Sequence, residues 1–325
     1  TEITRSIISN MAQSDYFDVV ADVNTLNAYR GTAPLQDTSS LLQSGKVNFV
    51  LTIPSGFSKA WVRGEKPSLL LEADATDPAA AAMAVAQISP IVERTLADIQ
   101  TGSLNYLKSK PSSINVVVHN KYNPEGISQF NIVPGLLGVI LTMTMVMITS
   151  IAMTREAERG TMENLLAMPS KPLEVMIGKI TPYVLMGLVQ TMIILLASNM
   201  LFHLPFVGSG STFGLGVGLF ILANLAIGFT FSTIAKSQMQ AMQLTFFFFL
   251  PSMLLSGFMF PFQGMPKWAQ YLGEILPLTH FLRIVRGIML KGTSLSLLSN
   301  EFLALLAILI IVGIIAMLRY RQTLD

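Results

Sequence analysis

From Ile180 to Ala235 the chain runs for 56 residues without one Asp, Glu, Lys or Arg. A soluble domain has no place for so long an uncharged stretch, whereas a bilayer core requires one, because each helical crossing needs about 20 mostly apolar residues. The run is long enough for two crossings. His203-Leu204-Pro205 and the GSGST stretch at 208–212 divide it. Three more uncharged windows follow the same rule: Gly126–Thr154, Ser237–Pro266 and Phe302–Leu318. The last is at the short limit, and Arg319 and Arg321 beyond it can snorkel to the interface. The pattern predicts five spans, at about 131–153, 180–201, 213–235, 243–260 and 302–318.

Charge is distributed to match. Residues 1–125 hold 10 Lys/Arg and 12 Asp/Glu, and residues 126–325 hold 11 and 7. Only 12% of the whole chain is charged, about half the share in an average soluble domain. The expected fold is therefore mixed: a water-soluble domain over 1–125 and an α-helical polytopic membrane domain over 126–325. A net charge of +2, scattered along the chain, excludes a nucleic-acid surface, which needs basic residues on one face. The absence of cysteine excludes disulfides, thiolate catalysis and Cys-ligated metals.

Within the first 125 residues, strand patterns alternate with helix patterns. Tyr16–Asp22, Val47–Pro54, Ser68–Asp74 and Ile114–Asn120 read as strands: the first, second and fourth are rich in β-branched and aromatic residues, the third is a leucine run, and all end in turn formers. Helices are expected at Ser39–Ser44, at Ser55–Val62 with Ser55 as N-cap, and at Asp77–Leu107, where Asp77-Pro78 is a helix start signal. Such alternation implies a small α/β domain with a partly parallel sheet. Ser55, Asp74 and His119 lie in no nucleophile motif, so a hydrolase triad is disfavoured. Glu72, Asp74 and Asp77 read better as a solvated strand end than as a cation site. His119, His203 and His280 are too far apart in sequence to suggest a local metal site.

Lys and Arg near span ends are retained on the cytoplasmic side. With 1–125 outside, the cytoplasmic connections carry Arg155, Arg159, Lys171, Lys179, Lys236, Arg319 and Arg321, and the outer turn at 202–212 carries none. The connection 261–300 holds Lys267, Arg283, Arg286 and Lys291, in a segment that reads as membrane-embedded. TEITRSIISN has no signal-peptide character. The simplest expectation for an outer domain there is a first span ahead of the sequence, six in all; the alternative is a processed chain of another topology.

The segment Thr154–Lys179 carries the most specific information. Arg155, Glu156, Glu158 and Arg159 open it at the membrane face, Gly160-Thr161 interrupts it, Met162–Met168 is amphipathic, and Pro169 and Pro172 end it. Thr161 is placed to cap the short helix. The residues alone fit either a surface helix that offers charges and an apolar stripe to a partner, or a helix lying on the headgroups.

The pattern formed by Arg155, Glu156, Glu158, Gly160, Thr161, Glu163, Leu165, Leu166 and Pro169 resembles the coupling-helix signature of ABC-2 type transporter permeases. NIVPGLLG, PSMLLSGFMFPFQGMPKWAQ, LPLTHFLRIVRGIMLKG and the early SGKVNFVLTIPSGFS segment are similar to the same family. Those matches point to the subfamily with a large extracytoplasmic domain between the first two spans. The resemblance implies a transmembrane subunit of a bacterial inner-membrane exporter. It would pair as a homo- or heterodimer above separate ATPase subunits that hold ATP and Mg, and could meet a periplasmic adaptor. The segment at about 155–170, with Arg159 inside it, would dock on the ATPase.

Other residues fit that expectation. Gly45-Lys46 and Gly178-Lys179 are not followed by Ser or Thr, so neither is a P-loop. The chain is expected to bind no nucleotide, cofactor or metal itself. Polar residues within spans, Gln190, Asn199, Asn224, Gln238, Gln240 and Gln243, either line a translocation path or hydrogen-bond between helices. Met143, Met145 and Met147, at spacing two, read as lipid-facing packing. Around Pro277, residues 265–291 read as two re-entrant or interfacial helices. Their His280, Arg283 and Arg286 would form an outer gate or anchor to lipid. The rival classes are a membrane receptor or scaffold, for which the tail RYRQTLD is too short a signalling domain, and an intramembrane enzyme, for which the uncharged windows offer no paired carboxylates.

Overall fold

The computed structural model describes residues 2–14, 17, 19, 36–101, 114–159 and 172–322. They form two compact units, 1–128 and 129–325. In the first unit, β1 (Phe49–Thr52), β2 (Ser68–Asp74) and β3 (Asn115–Lys121) make one sheet in the order β1-β2-β3. β1 runs antiparallel to β2, with Phe49 opposite Ala73, and β3 runs parallel to β2, with Ser68 opposite Asn115. The central strand alternates as period-two sequence requires: Leu69, Leu71 and Ala73 are buried on one face. On the other face, Glu72 pairs with Lys121 at 2.8 Å.

Three helices cover the buried face. α1 (Glu2–Gln13) presents Ile3, Ile7 and Met11 at four-residue spacing, α3 (Phe57–Val62) presents Phe57 and Trp61, and α4 (Pro78–Thr101) presents Ile88, Val92 and Leu96. α2 (Gln36–Gln43) precedes β1. α4 starts as its sequence requires: Asp77 accepts from the backbone N–H groups of Ala79 and Ala80, 3.2 Å each, with Pro78 at the first helical position. The N-cap of α3 is Gly56 at φ +93°, without a side-chain cap, so Ser55 does not cap it. Asp74 is engaged in a turn, accepting from the Thr76 N–H and hydroxyl. The expected strand at Tyr16–Asp22 and the helix continuation past 101 fall largely or wholly outside the described residues.

The second unit is helical. α5 (Gln129–Glu158), α6 (Pro172–Phe202), α7 (Gly210–Ile234), α8 (Gln238–Leu255) and α11 (Ser299–Gln322) are the long helices. A 3₁₀ turn at Phe262–Gly264 and two shorter helices, α9 (Lys267–Glu274) and α10 (Pro277–Lys291), connect α8 to α11. Among the described residues, α5, α6, α7 and α11 are long and apolar enough to cross a membrane. The fifth expected span is α8, only 18 residues long, with Gln238, Gln240 and Gln243 in its first two turns lowering its hydropathy below that of the other four.

α7 is apolar on all sides and occupies the middle of the unit. α5 lays Leu137, Leu141 and Met145 into the same core at four-residue spacing, so Met145 is a core residue and not lipid-facing. The α5 and α7 backbones meet at Gly228: a Cβ there would lie 2.6 Å from the Val146 carbonyl oxygen. α10 is also a core helix. Its Leu278, Phe281, Ile284, Val285 and Ile288 are buried, and Phe281 stacks on Phe220 of α7 with ring centroids 3.9 Å apart. Gly292, at φ +63°, ends α10 in the left-handed conformation that favours glycine.

Candidate functional site

Two polar clusters stand out in the helical unit, at opposite ends of α5. The first gathers where α5 stops. Arg155, Glu156 and Glu158 do not open a separate element; they ride on the last turns of α5, and Arg159 follows in a turn. Arg155 Nε donates to Gln238 Oε1 at 3.0 Å. Gln238 in turn donates its backbone N–H to Glu158 Oε1 at 2.8 Å and its side-chain amide to Glu158 Oε2 at 2.5 Å.

Gln238 is the first residue of α8, so Glu158 sits at the positive end of another helix, among N–H groups that have no intrahelical acceptor. α8 completes its own start locally: Ser237 Oγ accepts from the Gln240 N–H, and Gln240 Oε1 accepts from the Lys236 N–H at 2.7 Å. The side-chain and backbone hydrogen bonds from Gln238, aided by Arg155 and Arg159, hold the Glu158 carboxyl below its ordinary range. Two residues back, Glu156 pairs with Lys179 of α6. Gly160, Thr161, Glu163, Leu165, Leu166 and Pro169 lie outside the described residues.

The second cluster joins α9, α10 and α11. Arg283 grips Glu274 with both terminal nitrogens, at 2.5 and 3.1 Å, and reaches both Glu301 oxygens at 3.4 Å. Its guanidinium lies 4.6 Å from the Phe262 ring centroid. His280 is buried, with Nδ1 2.7 Å from Glu301 Oε2 and Nε2 2.9 Å from the Glu274 carbonyl oxygen. The Glu274 carbonyl can only accept, so Nε2 donates to it, and with Glu301 ionised Nδ1 donates as well, which makes the ring an imidazolium. Burial alone would pull His280 down. The Glu301 hydrogen bond and then the Glu274 carbonyl outweigh it and hold the imidazole above its ordinary value. With His280 protonated, two cations meet two carboxylates and the cluster is neutral.

His280 and Arg283 therefore come together, but Arg286 does not join them. It donates to the Gly257 carbonyl at 3.1 Å and lies beside Gly135 at the start of α5. Glu274 and Glu301, which complete the cluster, were missed from the sequence. They lie 6 and 21 residues from His280, and the available clue was that each is a carboxylate within an otherwise apolar stretch.

The six polar span residues are not gathered into one path within the chain. Gln190 accepts from Thr144 of α5 at 2.9 Å, while Asn224 is fully buried in α7 and donates to the Phe220 carbonyl of its own helix. Asn199 and Gln243 are exposed. Gln238 and Gln240 belong to the start of α8.

Comparison with known proteins agrees with these features. Residues 1–318 match the family described as ABC-2 family transporter protein. The chain is 30% identical over 287 residues to "Probable multidrug ABC transporter permease YbhR" of Escherichia coli, covering 88% of this chain and 77% of the relative. It is 30% identical over 291 residues to "Inner membrane transport permease YhhJ" of the same organism, covering 87% and 75%. A more distant match, 28% identical over 211 residues, is "ABC transporter G family member 20" of Dictyostelium discoideum, covering 64% of this chain and 29% of the relative. No solved structure matches the chain. A match over nearly the whole length, on a bundle of apolar helices with a charged end to α5, leaves one conclusion: the chain belongs to the ABC-2 family of transporter proteins as a permease.

Proposed function

We propose that this chain is the permease subunit of an ATP-driven exporter in a bacterial inner membrane, moving a hydrophobic or amphipathic substrate outward between two permease copies. Drug-like molecules, lipids and glycans all fit that description, and the multidrug names of two relatives favour the first. ATP and Mg belong to a separate ATPase subunit, and the segment 155–169 docks on it. Residues 1–125 lie outside the membrane, where an adaptor can reach them.

One observation carries the reading. The charged start of the signature segment, Arg155 to Glu158, is hydrogen-bonded or ion-paired to the neighbouring helices α6 and α8 instead of facing solvent alone. A load applied to residues 160–171 therefore enters the bundle at three helices. In this arrangement the His280–Arg283 cluster with Glu274 and Glu301 is the closed outer gate, and parting α9 and α10 from α11 opens it.

The test uses inside-out vesicles carrying the permease and its ATPase, with a fluorescent amphipathic cation as cargo. ATP-dependent uptake is expected in the wild type. In the Glu156→Ala/Glu158→Ala double variant uptake is expected to collapse while the ATPase stays bound and active. Substrate-stimulated ATPase at the wild-type level in that variant counts against the reading. A permease that purifies in mild detergent free of any ATPase would favour a receptor or scaffold.

A further inference from the structure

The signature segment is covalently joined to α5 and α6, but α8 lies beyond α7 in the chain. Force on residues 155–169 reaches α5 and α6 through the backbone. It reaches α8 only through contacts between helices. Apolar packing between helices resists separation but offers little directional resistance to sliding. Hydrogen bonds at a helix end fix position along the axis.

Three hydrogen bonds tie the charged end of α5 to α8, and each of them meets Gln238. Its carboxamide is suited to this place because it is donor and acceptor at once. The oxygen takes Arg155, and the nitrogen, with the backbone N–H, takes both oxygens of Glu158. Neither Glu nor Lys at 238 could satisfy both neighbours. The contrast with Lys179 is informative: its pairing with Glu156 joins helices that the chain already connects.

We infer that Gln238 is a positioning residue for transport, the link through which movement of the ATPase-docking segment is passed to α8. This inference rests on the reading of 155–169 as the docking segment. It adds α8 to the helices driven directly by ATP, and makes a residue outside the signature specific for coupling.

The experiment compares Gln238→Glu, Glu158→Gln and the Glu158→Gln/Gln238→Glu exchange in vesicles holding permease and ATPase. Transport per ATP hydrolysed is measured together with thermal stability and the amount of ATPase retained. Gln238→Glu sets two carboxylates against each other, and coupling is expected to fall about tenfold, the scale of one lost charge-assisted hydrogen bond. The exchange restores every donor and acceptor: Glu at 238 takes Arg155, and Gln at 158 donates to it while accepting the backbone N–H. Coupling is expected to return to within about twofold of wild type.

Wild-type coupling in Gln238→Glu overturns the inference. So does a parallel loss of stability, hydrolysis and transport that the exchange does not repair, because that describes a merely structural contact. Leu165→Arg/Leu166→Arg serves as the control for the underlying reading. If it abolishes ATPase binding while Gln238→Glu changes nothing, the docking segment stands and Gln238 does not transmit. If it leaves ATPase binding and coupling intact, the docking reading falls and the inference falls with it.

Discussion

At position 228 a methyl group would have to displace a backbone carbonyl. The space between α5 and α7 there admits a hydrogen atom, with Val146 O and the Thr149 Cβ closing it from the α5 side. Gly228→Ala is expected to cost about 1–3 kcal/mol through overpacking, read as a fall in melting temperature of the purified protein. His280 makes a different residue-scale prediction. Its imidazolium is favoured in the folded state, so the stabilisation is fully present below the ordinary value of 6.5 and is lost as pH rises through its elevated folded value. Melting temperature should therefore decline across the neutral-to-alkaline range in wild type, and more shallowly in His280→Gln. An equal slope in both would remove His280 as the titrating group.

Elements succeed or fail here at their ends. α8 begins with a cap in which Ser237 Oγ accepts from the Gln240 N–H while Gln240 Oε1 accepts from the Lys236 N–H, and Ser237→Ala is expected to cost about 0.5–2 kcal/mol. The same substitution should loosen the Gln238 contacts, since their geometry depends on an ordered first turn, so hydrogen exchange at residues 238–241 should rise. Caps and breaks were also what the sequence made legible. Asp77-Pro78 marked the start of α4, His203-Leu204-Pro205 marked the end of α6, and the strand expected at Ser68–Asp74 coincides with β2. α1 was readable from Ile3, Ile7 and Met11, but a short amphipathic pattern at the beginning of a chain is weak beside the long apolar windows. The clusters were harder to read. Arg155 and Glu158 meet Gln238 some 80 residues on, and His280 meets Glu301 21 residues on; such partners are chosen by helix packing, which leaves no local spacing to find.

Across the whole helical unit, burial is uneven. Two thirds of the apolar window of α7 is buried, against 17% for α6 and for α11. The outward faces of α6 and α11 are left for lipid or a second permease copy. Because the chain has no cysteine, single cysteines placed on it report without background. Spin-labelled through cysteines at Met200 and Ile311, exposed by 75% and 58%, the chain should be readily accessible to oxygen dissolved in the bilayer, and at fully buried Leu225 shielded from it. High oxygen access at Leu225 would mean that α7 is not the centre of the bundle. Shielding of Met200 or Ile311 only when two copies are joined would mark the face between them.

The length of α5 gives the two polar clusters a common mechanical frame. Its 30 residues form one helix of about 45 Å, with Glu158 at one end and, near the other, Gly135 and Gly138 against Phe258, Leu278 and Phe281. About the Glu158 end, a tilt of about 5° shifts the turn at Gly135, roughly 35 Å away along the axis, by roughly 3 Å. Such a lever needs no relay of side chains between its ends: a small rotation at the Glu158 end would arrive beside α10 as a displacement large enough to part an ion pair.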